Sequence, residues 1–401
     1  ENMIIQDINN GNGCGFIDPH GQSIENILHN IPKHRLKDVV LVDPSDEDNP
    51  LGLNILDCPN KKQKNLRASG VLASFKLQFG DSWGPRLEYL LNYCLLTLMD
   101  VPGTTLLGIT RLLTDKNYRK YILTFVTDPI VLEFWEKEYA ELEKSNIGIE
   151  AVSPIQNKVG RFLANSTIRN LLGQRETTID IEDIMNNKKI LLVNLSKGKI
   201  GEDNSSLLGS LIVDLLQFYA LKREELTQDK RVPFYLYVDE FQNFATDSFV
   251  TILSEARKYG LSLHLTNQYT MQLTEEIRNA ILGNVGTLVA LSLGANDAGM
   301  LAPEFAPVFT EEDLVNQERY SFYIKLQIDG FQSSPFSGRS LEPLNPTDIT
   351  AVEEVKKLSR EKFATPRWYV QERIKRWVDR PFDLGMAIAQ NYKEKSKKVV
   401  D

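Results

Sequence analysis

The sequence predicts an α/β fold in which a mostly parallel sheet is interrupted by an all-helical insertion. Three observations predict it. Short apolar runs at Cys14–Ile17, Val39–Val42, Lys189–Leu195 and Phe234–Val238 read as strands buried on both faces, the habit of parallel sheets. Three of them end on acids: Asp18-Pro19, Asp43-Pro44 and Asp239-Glu240. Between Asn60 and Asn187 the pattern changes to helical spacing, with no convincing strand.

In chain order, residues 3–10 (MIIQDINN) read as the end of a helix, and Gly11–Gly15 as a flexible turn into the first strand. That strand ends at Asp18-Pro19-His20-Gly21. Asp-Pro and His-Gly are turn formers, so a plain tight turn is an alternative to a ligand-binding role for Asp18 and His20. The Val39–Val42 strand also ends in Asp-Pro, which suggests that the two strands are sheet neighbours with their tips on one edge. In the helical stretch, Leu87, Leu90, Leu91, Cys94, Leu95 and Leu98 follow helical spacing and predict a strongly buried helix. Trp83, Tyr89 and Tyr93 read as core there. After Lys189–Leu195 an amphipathic helix is expected over residues 206–223. Thr287–Leu293 reads as another buried strand, and Asp329-Gly330 as a two-residue hairpin turn. The tail beyond Pro346 is charged and helical, and its Lys356, Lys357, Arg360, Arg373, Lys375 and Arg376 suit a solvated face.

The richest stretch is residues 232–268, VPFYLYVDEFQNFATDSFVTILSEARKYGLSLHLTNQ. Its apolar run ends on Asp239 and Glu240, at the strand end where parallel sheets bind ligands. Two carboxylates there are costly unless a cation or reacting group uses them. This is the Walker B arrangement: the first acid holds Mg²⁺, usually through water, and the second orients the water that attacks a γ-phosphate. A buried strand with an exposed acidic end fits the same residues. The amide Gln268 at the tip of the next strand, with Arg257 between, favours the catalytic reading. No G-x-x-x-x-G-K-[ST] phosphate loop occurs in the chain. A helix normally follows such a loop, so residues 3–10 lead us to expect one just upstream of Glu1.

Composition bounds the partners. At 401 residues, 42% hydrophobic and 25% charged, the chain resembles an ordinary soluble protein of two or three domains. No apolar run approaches the ~20 residues of a membrane helix, and no signal peptide is visible. Cys14, Cys58 and Cys94 are scattered and odd in number, which points to buried reduced thiols in a cytosolic protein. A net charge of −8 argues against a protein coated with nucleic acid, while leaving room for local grip through a few loops.

With these residues assembled, the chain resembles the HerA/FtsK superfamily of hexameric pumping ATPases, and within it the TraG/TraD-like conjugative coupling ATPases of type IV secretion. The matching stretches include GFIDPHGQSIENIL, DVVLVDPSDEDNPLGLNILD, KKILLVNLSKGKIGEDNSSLLGSLIVDLL, FYLYVDEFQNFATDSFVTILSEARKYGLSLHLTNQY and GNVGT, and they extend from Gly11 to about Pro343. The resemblance implies a RecA-like P-loop core over residues 1–59 and 188–345, an inserted all-α domain over 60–187, and a helical tail over 346–401. It makes Asp239 the Mg²⁺ ligand and Glu240 the water-orienting acid of an ATP site. It makes Gln268 the γ-phosphate sensor, with Asp18 and His20 at the nucleotide edge and Arg257, then Arg278, as candidate arginine fingers. The implied partners are transfer DNA, further copies in a homo-hexamer, and relaxosome or secretion proteins. The implied place is the cytoplasm or the inner face of the cell membrane, with any anchor outside this chain. One departure is Leu291-Ser292, where relatives often carry an arginine. Two other readings fit the same residues: a motor that pumps protein, and a non-hydrolysing docking ring.

Overall fold

The structure is a computed structural model and describes residues 1–247, 249–346 and 348–382. Its centre is a five-stranded parallel sheet: β1 (Gly13–Asp18), β2 (Val39–Val42), β3 (Ile190–Asn194), β4 (Phe234–Val238) and β5 (Leu261–Leu265). The order is β2-β3-β1-β4-β5. All pairings are parallel, so every strand's carboxyl end lies on one edge. The two Asp-Pro strands share that edge as expected, but they are not neighbours. β3, some 150 residues later in the chain, inserts between them, and nothing local to β1 or β2 signals this.

Each apolar run still alternates between faces, as the pleat requires. Phe16, Val39, Leu41, Ile190, Leu192 and Tyr237 enter one core, closed by the helices Asn2–Asn9, Gln22–Leu28 and Ala351–Phe363. Ile17, Val40, Val42, Leu191, Val193, Leu236 and Val238 enter the other. The helix Glu202–Lys222 belongs to this second core and is buried almost all round, because the helix Lys64–Phe79 packs against it from outside. Each fully buried Leu, Ile or Val contributes roughly 1.5–3 kcal/mol.

The expected helical stretch is present, from Lys64 to Asn186, with the predicted buried helix at Pro85–Met99. Its apolar residues form one continuous cluster with those under the sheet. One buried ion pair also joins the two parts: Arg67 on the helix Lys64–Phe79 meets Asp214 on Glu202–Lys222 at 2.6 Å. All three cysteines are buried free thiols.

The reading of residues 287–293 needs correction. The strand expected over Thr287–Leu293 is short, β6 (Leu288–Ala290), and it is not part of the parallel sheet. It pairs antiparallel with β7 (Ser321–Lys325). Val289 and Leu291 are exposed at 51% and 58%, so an apolar run here marks a surface strand, not a buried one. The helix Ala351–Phe363 of the charged tail is a layer of the fold: Val352 and Val355 are buried beneath the sheet, while Lys357 and Arg360 stay exposed. The expected hairpin is found between β8 (Gln327–Ile328) and β9 (Phe331–Gln332), with Asp329 and Gly330 both at positive φ. Tail residues beyond Phe382 lie outside the described residues.

Candidate active site

The site forms where β4 ends. The next buried side chain, Phe241, must return to the core directly after two acids, where its ring meets Phe249 at 4.5 Å. The chain turns sharply to do so, and Glu240 takes a left-handed conformation (φ 46°, ψ 50°). For a residue with a side chain this costs on the order of 1–3 kcal/mol. Asn243 offsets part of it, donating to the Glu240 carbonyl at 3.0 Å and to its Oε2 at 3.1 Å. The Phe241 N–H donates to the Thr266 carbonyl at 2.8 Å, tying the turn to the end of β5.

The turn sets the Glu240 carboxylate among donors from three other segments. Gln268 Nε2 donates to Oε1 at 2.7 Å, His20 Nε2 lies 3.0 Å from the same oxygen, and Lys197 Nζ lies 3.7 Å from Oε2. Burial alone would raise the Glu240 pKa. Hydrogen bonds from His20 and Asn243, with the charges of His20 and Lys197, outweigh it and hold the carboxyl below its ordinary value. Glu240 is therefore an anion at neutral pH with its amide neighbour already in place.

Asp239 lies beside it and accepts the Thr266 hydroxyl at 2.5 Å, while its N–H donates to the Ile17 carbonyl. Asp18 is fully buried at the tip of β1. Its carboxylate accepts the N–H groups of His20 at 2.7 Å and Ile24 at 3.3 Å. Asp18 thus builds the tight turn that carries His20 to Glu240, which is the turn-forming reading. Gly21 is required in this turn: its φ is 84°, and a Cβ would come within 2.5 Å of Asn194 Oδ1.

Of the sequence candidates, the structure brings together Asp239, Glu240, Gln268 and His20, with Asp18 behind them. It does not bring either arginine to the cluster. Arg257 lies in the turn Ala256–Tyr259 just before β5, at the opposite edge of the sheet, exposed and with no ion-pair partner among the described residues. Arg278 lies on the helix Glu275–Asn284, where it meets Met271 Sδ at 3.7 Å. Sequence reading missed Asn243 and Lys197. Lys197 follows β3, and only the strand order puts that loop beside β1; Lys197 Nζ also donates to Asn243 Oδ1 at 3.2 Å.

Chemically, the edge offers an ionised carboxylate oriented by an amide, beside a second carboxylate. The described residues assemble no cluster of three or more His, Cys, Asp or Glu side chains suited to a metal ion. Two adjacent carboxylates suit Mg²⁺, which binds through one or two carboxylates and completes its shell with water and phosphate oxygens. Asp239 would hold that ion.

Residues 233–358 match a family described as the TraM recognition site of TraD and TraG. That span includes Asp239, Glu240 and Gln268. No curated protein matches the chain. Among solved structures, the plasmid coupling protein TrwB in complex with a non-hydrolysable ATP analogue aligns at 13% identity and a TM-score of 0.58, covering 85% of this chain and 81% of that one. TrwB in complex with ADP and Mg²⁺ aligns at 13% identity and a TM-score of 0.57 over the same shares. VirB4 of Thermoanaerobacter pseudethanolicus aligns at 15% identity and a TM-score of 0.53, covering 82% of each chain. At such identities the alignments speak for the fold. They give this chain the RecA-like α/β fold seen in TrwB, and the family match concerns residues 233–358.

Proposed function

We propose that this chain is the motor part of an ATP-driven, ring-forming DNA translocase that couples transfer DNA to a type IV secretion channel. The observation that carries the reading is the Glu240–Gln268 contact of 2.7 Å at the carboxyl edge of the sheet, beside Asp239. An ionised acid held by an amide is what a water needs when it attacks a phosphoryl group. Asp239 would hold Mg²⁺, which when bound would neutralise charge on the phosphate oxygens. Glu240 takes the proton of the attacking water, and Gln268 fixes the carboxylate's position. His20 and Lys197 keep it deprotonated.

In this reading residues 1–59 and 188–345 are the ATPase core, residues 60–187 the all-α domain that meets the DNA or its escort, and residues 346–401 the tail. A TraM-like relaxosome protein is the corresponding partner for the matched region. Arg257, far from its own subunit's acids, serves the site of a neighbour in a homo-hexamer. A guanidinium suits that task because it stays charged and binds phosphate oxygens bidentately.

The test is ATP turnover by the intact protein with and without DNA across a salt series. Stimulation by DNA that weakens steeply between 50 and 200 mM salt is expected, since phosphate contacts lose affinity with log salt. Turnover indifferent to DNA at every salt concentration would leave a protein-pumping motor; no turnover at all would leave a docking ring.

A further inference from the structure

Residues 286–340 form a small unit with a core of its own: Ala290, Ala298, Leu301, Phe305 and Leu314. Neither core of the five-stranded sheet includes these residues. The unit contains β6, β7 and the helices Ala295–Phe305 and Glu311–Val315. Among the described residues, its hydrogen bonds to the rest of the chain converge on one side chain, Thr270. The Thr270 hydroxyl donates to Asp297 Oδ1, and Met300 Sδ lies 3.6 Å from the same hydroxyl. Asp297 and Met300 both stand on the helix Ala295–Phe305. Asp297 is only 4% exposed. A carboxylate so far withdrawn from water is costly without a donor, and here the donor comes from outside the unit.

Thr270 stands two residues beyond Gln268. Thr266, two residues before Gln268, is tied to the other side of the site. Its hydroxyl donates to Asp239, and its carbonyl accepts the Phe241 N–H. Between the two threonines, Asn267, Gln268 and Tyr269 are exposed, so packing does not fix the amide. Apart from its own bond to Glu240, Gln268 therefore owes its place to two staples, one on Asp239 and one on Asp297. A hydroxyl donated to a carboxylate suits a staple, being roughly twice as strong as a neutral hydrogen bond.

We propose that Asp297 is a positioning residue of the site at Glu240, a role that rests on the ATPase reading of Glu240 and Gln268. It holds Thr270, and through Thr270 it keeps the Gln268 amide on Glu240 Oε1. The seating of residues 286–340 thereby sets the geometry of the acid. In a site that works by positioning, a displacement of about 1 Å costs on the order of a hundredfold in rate.

ATP turnover and amide hydrogen exchange of the intact protein test this together. Thr270→Val removes the hydroxyl, keeps the shape and leaves the helix of Asp297 untouched. Thr270→Val and Asp297→Ala should each lower kcat by about tenfold, as loss of a charge-assisted hydrogen bond does, with KM for ATP within about twofold. Both remove the same bond, so the double variant should lose no more than either single one. Asp297→Asn and Thr270→Ser, which keep an acceptor and a hydroxyl, should recover most of the rate. In Thr270→Val the amides of residues 267–270 should exchange about tenfold faster or more, while those of residues 298–305 stay as they were. An unchanged kcat, a rise in KM without loss of kcat, losses that add in the double variant, or unchanged exchange at 267–270 would overturn the proposal. Full turnover in Gln268→Ala, or none in the unsubstituted protein, would overturn it by another route. Exchange that still responds to Thr270→Val would then show the Thr270–Asp297 staple standing and the reading of Gln268 fallen.

Discussion

Two carboxylates in this protein are held against cations, and their surroundings give them opposite chemistry. Asp214 sits between helices beside Arg67, both side chains nearly inaccessible, at 8% and 0% respectively. Burial pushes its pKa up to about 6 despite the guanidinium. Glu240 sits at the sheet edge among donors from four segments, and its pKa is lowered. The difference is hydration and donor number. Around Asp214 the low dielectric penalises charge, and even its partner is incompletely served, since Arg67 Nη2 has no acceptor among the described residues. Around Glu240 the donors outweigh a partial burial. The buried pair joins two helices; the edge carboxylate stays ionised.

The comparison breaks most visibly at Arg67. Arg67→Met leaves Asp214 buried without its cation, a change that costs about 3–5 kcal/mol in such pairs. Urea unfolding followed by circular dichroism should show a loss of this size. Adding Asp214→Leu should restore much of it, because an apolar pair of similar volume needs no desolvation. Gly70 shows how closely Asp214 is packed: a Cβ there would lie 1.7 Å from Oδ1, so Gly70→Ala should also be strongly destabilising.

Glu240→Gln makes the converse case. It removes the charge at the sheet edge, and in the intact protein it should slow ATP turnover by at least about a hundredfold while nucleotide binding persists. Single-turnover kinetics separate the two steps. A fall of less than about tenfold would remove Glu240 from the reaction.

pH sharpens the contrast because the two signs differ. The Asp214 pKa of about 6 lies above its ordinary 3.8, so the folded state holds that proton more tightly. Its contribution is fully present below pH 3.8 and is lost as pH rises through 6. Glu240 is lowered from its ordinary 4.5, so its contribution is present above 4.5 and is lost as pH falls below it. The stability of the unsubstituted protein relative to Asp214→Asn should therefore fall between pH 4 and 6. Relative to Glu240→Gln it should fall on acidification below 4.5.

These two sites also mark how far the sequence could be read. Both Glu240 and Gln268 were legible because each ends a strand whose apolar pattern is unmistakable. The convergence of Glu240 with His20 and Lys197 was not, because it depends on β3 entering between β2 and β1 across more than a hundred residues of helix. Asp214 was invisible for a related reason. A lone acid inside an apolar helix reads as a solvated position unless the helix that covers it, Lys64–Phe79, is known to pack there. At β6 the error ran the other way, since an apolar run signals burial only when something covers it.

The smallest expected effect falls on His20. Its ring is 55% exposed and meets Glu240 at 3.0 Å, so it is well hydrated. Its hydrogen bond is the first of the interactions that lower the Glu240 pKa against burial, followed by that of Asn243. His20→Ala leaves Gln268, Asn243 and Lys197 in place, so the carboxylate keeps its position and most of its ionisation. Turnover at neutral pH should change by less than about tenfold, since an exposed charged pair is worth about 1 kcal/mol or less. The acid limb of the pH–rate profile should move upward, because Glu240 loses a donor that favours its charged form. The Asp18 turn should survive, since it rests on the His20 and Ile24 backbone N–H groups, which alanine retains. An acid limb that stays in place while turnover collapses would mean that His20 contacts the nucleotide directly, and that Glu240 owes its low pKa to Asn243 and Lys197 alone.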